Sequence, residues 1–368
     1  MDWLNWIFYV AVGVQAIFYA LAALAISRYT PLLGRPNPNQ GVSVIVCARN
    51  EHQNLQKLIP ALLQQDHLKF QVIVVDDQST DNTQTFGDAL AKAEPKLIYR
   101  RIEKTPRNVN SKKHALTMGI KAASFDCMLL TDADCWPISD RWISEMAVGF
   151  DSPDRQFVIG YSQYAKSPGP LNGFIRYETM ATAINYVGLG LMGRPYMAVG
   201  RNFGYRKSLF LKYRGFTGFQ SIVGGDDDLL VNRYARHSNT RFVLSTHATV
   251  YSVAKKDISS FARQKIRHLA VGKHYRLPDR LILGALTASK LALWISLGSA
   301  ILSGKATFLM GGCFFLAMVS LLTAVWSLKR KTGDKSGMVI VPLLEFLYIF
   351  YYLSIGLIAL FTKKIRWK

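Results

Sequence analysis

The chain has 368 residues, 50% hydrophobic and 19% charged, with 45 lysines and arginines against 24 acids and a formal net charge of +21. That composition excludes a disordered chain, and the crowding of apolar residues toward both ends assigns part of the molecule to lipid. The basic excess suits an anionic membrane surface; nucleic acid is not an expected partner, because no zinc-finger or helix-turn-helix pattern accompanies the charge.

Leu4–Ser27 is an uncharged run long enough to cross a hydrocarbon core of about 30 Å as a helix. Met1-Asp2-Trp3 lacks the basic start of a secretory signal, so the run reads as a retained span. Arg28 and Arg35 follow it, which places the N-terminus outside and the central body in the cytosol by the positive-inside bias. A linker rich in Pro, Asn and Gly, Pro31–Gly41, then leads into a different pattern.

Short apolar runs at Val42–Ala48, Gln71–Val75, Lys96–Ile102 and Cys127–Thr131 alternate with helical stretches at Asn54–Gln65, Thr80–Ala93 and Ser111–Ala123. Strand–helix–strand repetition predicts an α/β domain whose parallel sheet carries helices on both faces. Such sheets bind ligands at the carboxyl ends of their strands. Here those ends read Arg49-Asn50-Glu51, Asp76-Asp77-Gln78-Ser79-Thr80-Asp81 and Asp132-Ala133-Asp134. One aspartate in such a place is commonly a helix cap, but three acidic or polar strand ends on one edge suit Mg²⁺ or Mn²⁺ and a nucleotide diphosphate. Cys47, Cys127, Cys135 and Cys313 form no CxxC pair, so neither a disulfide framework nor a zinc site is expected.

Further along, Gly200–Lys207 reads either as a close backbone approach with Arg201 at a phosphate or as a basic turn. Asp226-Asp227-Asp228 follows Gly224-Gly225, and three adjacent carboxylates repel one another, which raises an apparent pKa and favours a proton-accepting role. Lys255–Arg280 is basic, with Ile258, Phe261, Ile266 and Leu269 at helical spacing, as in a helix lying at a membrane interface. Leu281–Gly304, Ala306–Leu328 and Gly337–Thr362 close the chain as membrane segments. Lys290 and Glu345 within them are expensive in lipid, at about 3 kcal/mol for a central lysine, and are expected to snorkel or to pair. Four full spans would put the tail Lys363–Lys368 outside against the positive-inside bias, so one segment is re-entrant or interfacial in the alternative reading.

Taken in order, VSVIVCARNE, VIVVDDQSTDNT, SKKHAL, LLTDADC, VGGDDDLL and RQKIRHL over residues 42–269 resemble the family 2 glycosyltransferases. Among these, the chain is similar to membrane-integrated members, which include cellulose and hyaluronan synthases and ceramide glucosyltransferases. The resemblance implies a GT-A, Rossmann-like nucleotide-sugar-binding domain. It puts Arg49 and Glu51 beside the nucleobase and ribose, Asp77 on the base and Lys112 near the nucleotide; for Lys112 a solvated helix face shared with Lys113 and His114 is the alternative. Asp132 and Asp134 correspond to the DXD pair, Asp134 ligating the metal and Asp132 contacting the nucleotide sugar or sharing the cation. Asp226 is the preferred general base with Asp227 close behind, since alignment on Asp228-Leu229 selects the first and alignment on the glycine the second. Gln264 and Arg267 match the QxxRW element at the diphosphate and acceptor end, with His268 in place of the tryptophan.

The expected architecture is a transmembrane helix over residues 1–30, a GT-A domain over 31–250, a basic interface region over 251–280 and membrane segments over 281–368. The expected activity is inverting transfer of a sugar from a nucleotide diphosphate sugar to a lipid or polysaccharide acceptor, with Mg²⁺ or Mn²⁺. Membrane lipids are expected partners, and the location is the plasma membrane with the catalytic domain cytoplasmic. A catalytically silent scaffold or nucleotide sensor is the alternative.

Overall fold

The computed structural model describes residues 3–31, 37 and 39–362; Arg35, most of the linker and the tail 363–368 lie outside the described residues. A first helix, α1 (Trp3–Arg28), precedes β1 (Val42–Ala48), α2 (His52–Leu63), β2 (Phe70–Asp77), α3 (Thr83–Ala93), β3 (Leu97–Ile102), α4 (Ser111–Ala122) and β4 (Cys127–Asp132). These match the strands and helices expected from sequence to within a few residues. Successive strand side chains point to opposite faces. Thus Ile45, Ile73 and Val75 pack with Ala115, Leu116 and Ile120 of α4, whereas Val44, Val46, Val72 and Val74 pack with Leu55, Leu58, Ile59 and Leu62 of α2.

The chain continues through β5 (Cys135–Pro137), α5 (Trp142–Ala147), β6 (Phe157–Gly160), β7 (Ser162–Tyr164), α6 (Pro170–Leu191), β8 (Phe203–Arg206), α7 (Lys207–Lys212), α8 (Asp228–Tyr234), β9 (Thr240–Val243) and β10 (Val250–Ser252). The seven-stranded sheet runs β3-β2-β1-β4-β8-β6-β9, and β5-β10-β7 form a second sheet. The first four strands are parallel as expected, but β8 is antiparallel to both β4 and β6, so the sheet is mixed. The segment Gly200–Lys207, read from sequence either as a close backbone approach or as a basic turn, is partly this strand. Gly204 permits its approach, because a Cβ there would lie 2.7 Å from the Met128 carbonyl oxygen.

The C-terminal part comprises α9 (Ile258–Val271), α10 (Leu277–Leu302), α11 (Phe308–Thr332), α12 (Val341–Tyr351), a π-helical turn at Tyr352–Gly356, and α13 (Leu357–Phe361). Among the described residues, four helical segments are long and apolar enough to cross a membrane: Trp3–Arg28, Leu277–Leu302, Phe308–Thr332 and Val341–Phe361. The first three pack together through Phe8, Val12, Leu293, Met310 and Ala317, and Gln15 donates to the Leu286 carbonyl at 2.9 Å. Outward-facing Trp6, Val10, Ile17, Leu302 and Phe308 remain exposed, as lipid-facing side chains would.

The fourth segment has different contacts. Just before it, Asp334 accepts from Tyr161 and Gln163 of the α/β domain, each at 2.7 Å. In its first helix Glu345 accepts from the Tyr177 hydroxyl and pairs with Lys290 at 2.7 Å. Beyond its end, the Thr362 carbonyl accepts from Lys273 at 2.9 Å. Both ends and the middle therefore lie against the domain side of the molecule. The two charges within apolar segments are paired with each other, which removes much of the cost of burying either one.

Candidate active site

Register sets the site. Ala48 of β1 stands opposite Asp76 of β2, and Cys47 opposite Asp132 of β4, so three parallel strands end at one level. Beyond β1 and β2 the backbone enters the left-handed region at Asn50 (φ 56°) and Gln78 (φ 59°). The Asn50 N–H donates to Ser79 Oγ at 2.9 Å, and Asn50 Oδ1 accepts from the Thr80 N–H at 2.8 Å, which stitches the two turns together. Arg49 consequently sits 3.8 Å from Asp77. Asn54 donates to Glu51 at 2.5 Å. Asp76 turns the other way: it is fully buried and accepts from Tyr99 Oη at 2.6 Å and the Ser79 N–H at 2.9 Å. Only Asp77 of the two acids faces the site.

Lys112, on the first turn of α4, joins regions far apart in the chain. Its Nζ is 3.0 Å from Asp132 Oδ1 and 3.1 Å from Asp226 Oδ2. The solvated-face alternative is thereby overturned for this lysine and for Lys113, which is fully buried and donates to the carbonyls of Ile222 at 2.5 Å and Gly224 at 2.6 Å. Burial pulls the Lys113 pKa down to about 8. These bonds hold the loop before the three aspartates. Gly225 in that loop has φ +72°, and a Cβ on it would stand 2.8 Å from the Leu229 side chain, so the position takes no larger residue without strain.

The three carboxylates differ in environment. Burial acts to raise the Asp226 pKa, but Lys112 and Lys113 outweigh it and hold the group below its ordinary range. Burial and then the charge of Asp226 push Asp227 up to about 6, against the N–H groups of Asp228 and Gly200 that its two oxygens accept. Burial and then Asp227 raise Asp228 further. On the strand edge, burial and then Asp132 raise Asp134.

Ligand atoms of Asp132, Asp134 and Cys135 lie within 4.8 Å of one another. Burial keeps the Cys135 thiol protonated, so the set is in effect two carboxylate oxygens. That donor set fits a hard divalent cation whose remaining positions a diphosphate and water would fill.

The opposite wall is α9, capped by Asp257, which accepts the Ser260 N–H at 2.8 Å. Gln264 Nε2 donates to Tyr164 Oη at 3.3 Å, and Lys265 is buried in an ion pair with Glu178 of α6. This pair ties α9 to the domain, so the helix does more than adhere to lipid. Burial lowers the Arg267 pKa, opposed by the charges of Asp132, Asp226 and Asp227 around it. Arg201 stacks its guanidinium 4.3 Å from the centre of the Tyr164 ring.

Arg49, Glu51, Asp77, Lys112, Asp132, Asp134, Asp226, Asp227, Gln264 and Arg267 all line one cavity of about 1130 Å³. Sequence reasoning had no role for Tyr164, Glu178, Asn185 or Lys113, of which all but Lys113 line the same space. Charged and amide side chains inside a largely apolar helix, Arg176, Glu178 and Asn185 of α6, were the available signal.

Residues 43–214 match the family model described as glycosyl transferase family 2. A comparison with curated proteins finds no match. Among solved structures, the mannosyltransferase PcManGT from Pyrobaculum calidifontis, in complex with GDP-Man and Mn²⁺, aligns at a TM-score of 0.60 with 19% identity, covering 95% of this chain and 98% of that one. S. aureus TarS 1–349 in complex with UDP-GlcNAc aligns at 0.42 with 16% identity, covering 86% and 90%. The chain thus carries a family 2 glycosyltransferase domain of GT-A fold, joined to helices apolar enough to span a membrane.

Proposed function

We propose that the protein is an inverting glycosyltransferase that moves a hexose or N-acetylhexosamine from a nucleotide diphosphate sugar to a hydroxyl of a lipid or glycan acceptor at the cytoplasmic face of the plasma membrane. The observation that carries this reading is the double ion pair of Lys112, which brings the strand-edge acid Asp132 and the distant Asp226 into one cavity. Arg49, Glu51 and Asp77 bind the nucleoside end. Asp132 and Asp134 would hold Mg²⁺ or Mn²⁺, which when bound neutralises diphosphate charge. The mannosyltransferase of similar fold, solved with GDP-Man and Mn²⁺, is consistent with that pairing.

In the reaction an acceptor oxygen forms a bond to the sugar C1 as the bond from C1 to the diphosphate breaks on the opposite side. The hydroxyl proton passes to a carboxylate of the Asp226–Asp227 pair, and the nucleotide diphosphate leaves toward Arg267. Asp227 is assigned the proton, in place of the alignment-based preference for Asp226. Asp226 is held ionised by Lys112 and Lys113, whereas the raised pKa of Asp227 makes it the stronger base.

Orientation is supported by basic residues on the domain side of two spans: Arg28 ends α1, and Lys329, Arg330 and Lys331 fill the last turn of α11. Three packed helices form little wall for a polymer channel, which favours single addition to a lipid.

The test is a donor screen for nucleotide diphosphate release with Mg²⁺ or Mn²⁺, followed by the Asp132→Ala/Asp134→Ala variant. Metal-dependent release that the double variant lacks supports the reading. Absence of release with every donor, while the protein keeps its biological role, makes it a scaffold or sensor instead.

A further inference from the structure

Phe203 of β8 stands opposite Leu130 of β4, and the two strands run antiparallel. Arg201, two residues before Phe203, therefore comes level with Asp132, two residues after Leu130. Along this edge the strands follow in the order β2, β1, β4, β8, so the groups they carry follow as Asp77, Arg49, Asp132 and Arg201, with about 5 Å between neighbouring strands. Arg201 is thus on the far side of the acidic pair from the residues that bind the nucleoside.

This guanidinium is held in place without being neutralised. It lies 4.3 Å from the centre of the Tyr164 ring, and the Tyr164 hydroxyl accepts from Gln264 of α9 at 3.3 Å. Its Nη1 is buried with no hydrogen-bond partner, and the side chain makes no ion pair among the described residues. Asp132, the acid level with it, is taken by Lys112 at 3.0 Å. Ser162 and Tyr164, two apart on β7, project from one face of that strand, so the Ser162 side chain shares the face that Arg201 covers. Ser162 is 2% exposed, and its Oγ also lacks a partner. Both residues line the cavity of Asp132, Asp134 and Arg267. Buried donors that the protein leaves unpaired call for a partner of another kind, and a fixed guanidinium fork with a hydroxyl beside it matches an anionic oxygen.

We propose that Arg201, assisted by Ser162, binds the distal phosphate of the nucleotide diphosphate and is a second catalytic cation besides Arg267. This rests on the glycosyl-transfer reading and adds to it a residue outside the motifs that carry the resemblance. As the bond from C1 to the diphosphate oxygen breaks, its electron pair stays on the distal phosphate, so the attraction of Arg201 is greatest in the transition state. A nucleoside monophosphate, whose one phosphate is joined to the ribose, stops short of this residue. Arg201 therefore distinguishes diphosphates from monophosphates.

The experiment titrates the full chain in nanodiscs, with Mn²⁺, by calorimetry. The probes are UDP, GDP, CDP and ADP, and the monophosphate of whichever binds. Arg201→Met should weaken the diphosphate about 10–100-fold and leave the monophosphate within about threefold, with Arg201→Lys recovering part of the loss. Ser162→Ala should act the same way but less. The Gly200 N–H that serves Asp227 belongs to the backbone and survives these changes, and the retained monophosphate affinity shows that the variants are folded. In transfer assays Arg201→Met should lower kcat with the acceptor KM unchanged. Equal weakening of diphosphate and monophosphate, diphosphate affinity unchanged in Arg201→Met, or a rise confined to the acceptor KM would overturn the inference while leaving glycosyl transfer intact. Failure of the wild-type chain to bind any of the four diphosphates would instead remove the glycosyl-transfer reading, and this inference with it.

Discussion

The Nζ of Lys112 lies 3.1 Å from Asp226 Oδ2, an ion pair between the first turn of α4 and the loop before α8. Because the same ammonium is 3.0 Å from Asp132, one lysine sets the spacing between the donor side and the acceptor side of the cavity.

Lys112→Met should remove the ammonium that bridges Asp132 and Asp226, leaving only the more distant charges of Lys113 and Arg267 to offset their repulsion. The expected loss in kcat/KM for transfer is about 10–100-fold, with Lys112→Arg recovering most of it. Steady-state kinetics on both variants tests this, and full activity in Lys112→Met would remove the bridge from the mechanism.

Exchanging Asp134 for Asn keeps the shape of the side chain but removes a charged ligand. Turnover should fall about 10²–10³-fold, and chelation of divalent cations should abolish wild-type turnover. Titration of activity with Mn²⁺ gives the readout; a metal-independent wild-type enzyme would contradict it.

Asp227 is pushed up to about 6 from an ordinary 3.8, so it is protonated, and useless as a base, below that pH. Transfer should rise about tenfold per pH unit up to about pH 6 and then level off. The folded chain keeps this proton where the unfolded chain has lost it, so the same group makes stability decline as pH climbs from about 4 to 6. Asp227→Asn should remove the acidic limb of the rate profile. If Asp226→Asn removes it instead, the base is Asp226.

Breaking the Lys290–Glu345 pair from one side strands a charge in an apolar setting. Lys290→Met should cost about 3–5 kcal/mol, and Lys290→Met/Glu345→Gln should cost less than that single change. Thermal unfolding in detergent measures both; additive effects would show that the two groups are not coupled.

The contact of Asp334 with Tyr161 of the α/β domain, and that of Thr362 with Lys273 in the turn between α9 and α10, bring both ends of the last apolar segment to the domain side of the molecule. Cysteines introduced at Asp154, on an exposed loop of that domain, and at Thr362 should react with a membrane-impermeant maleimide from the same side of sealed vesicles. Labelling from opposite sides would mean that 341–361 crosses the bilayer.

The succession of short apolar runs and helical stretches over 42–132 is a local property, and it determined four parallel strands, their helices and the acids at their ends from sequence alone. Composition likewise marked four apolar segments, because hydropathy depends only on which residues are neighbours in the chain. Direction and partnership are different in kind. That β8 runs antiparallel, that Lys113 is buried beneath the loop at 222–224, that Asp227 differs in basicity from Asp226, and that the last segment returns to the domain all depend on groups far apart in sequence meeting in space. Such contacts are fixed by how preformed elements bury their faces and neutralise their charges against one another, so they were decided only by the tertiary structure.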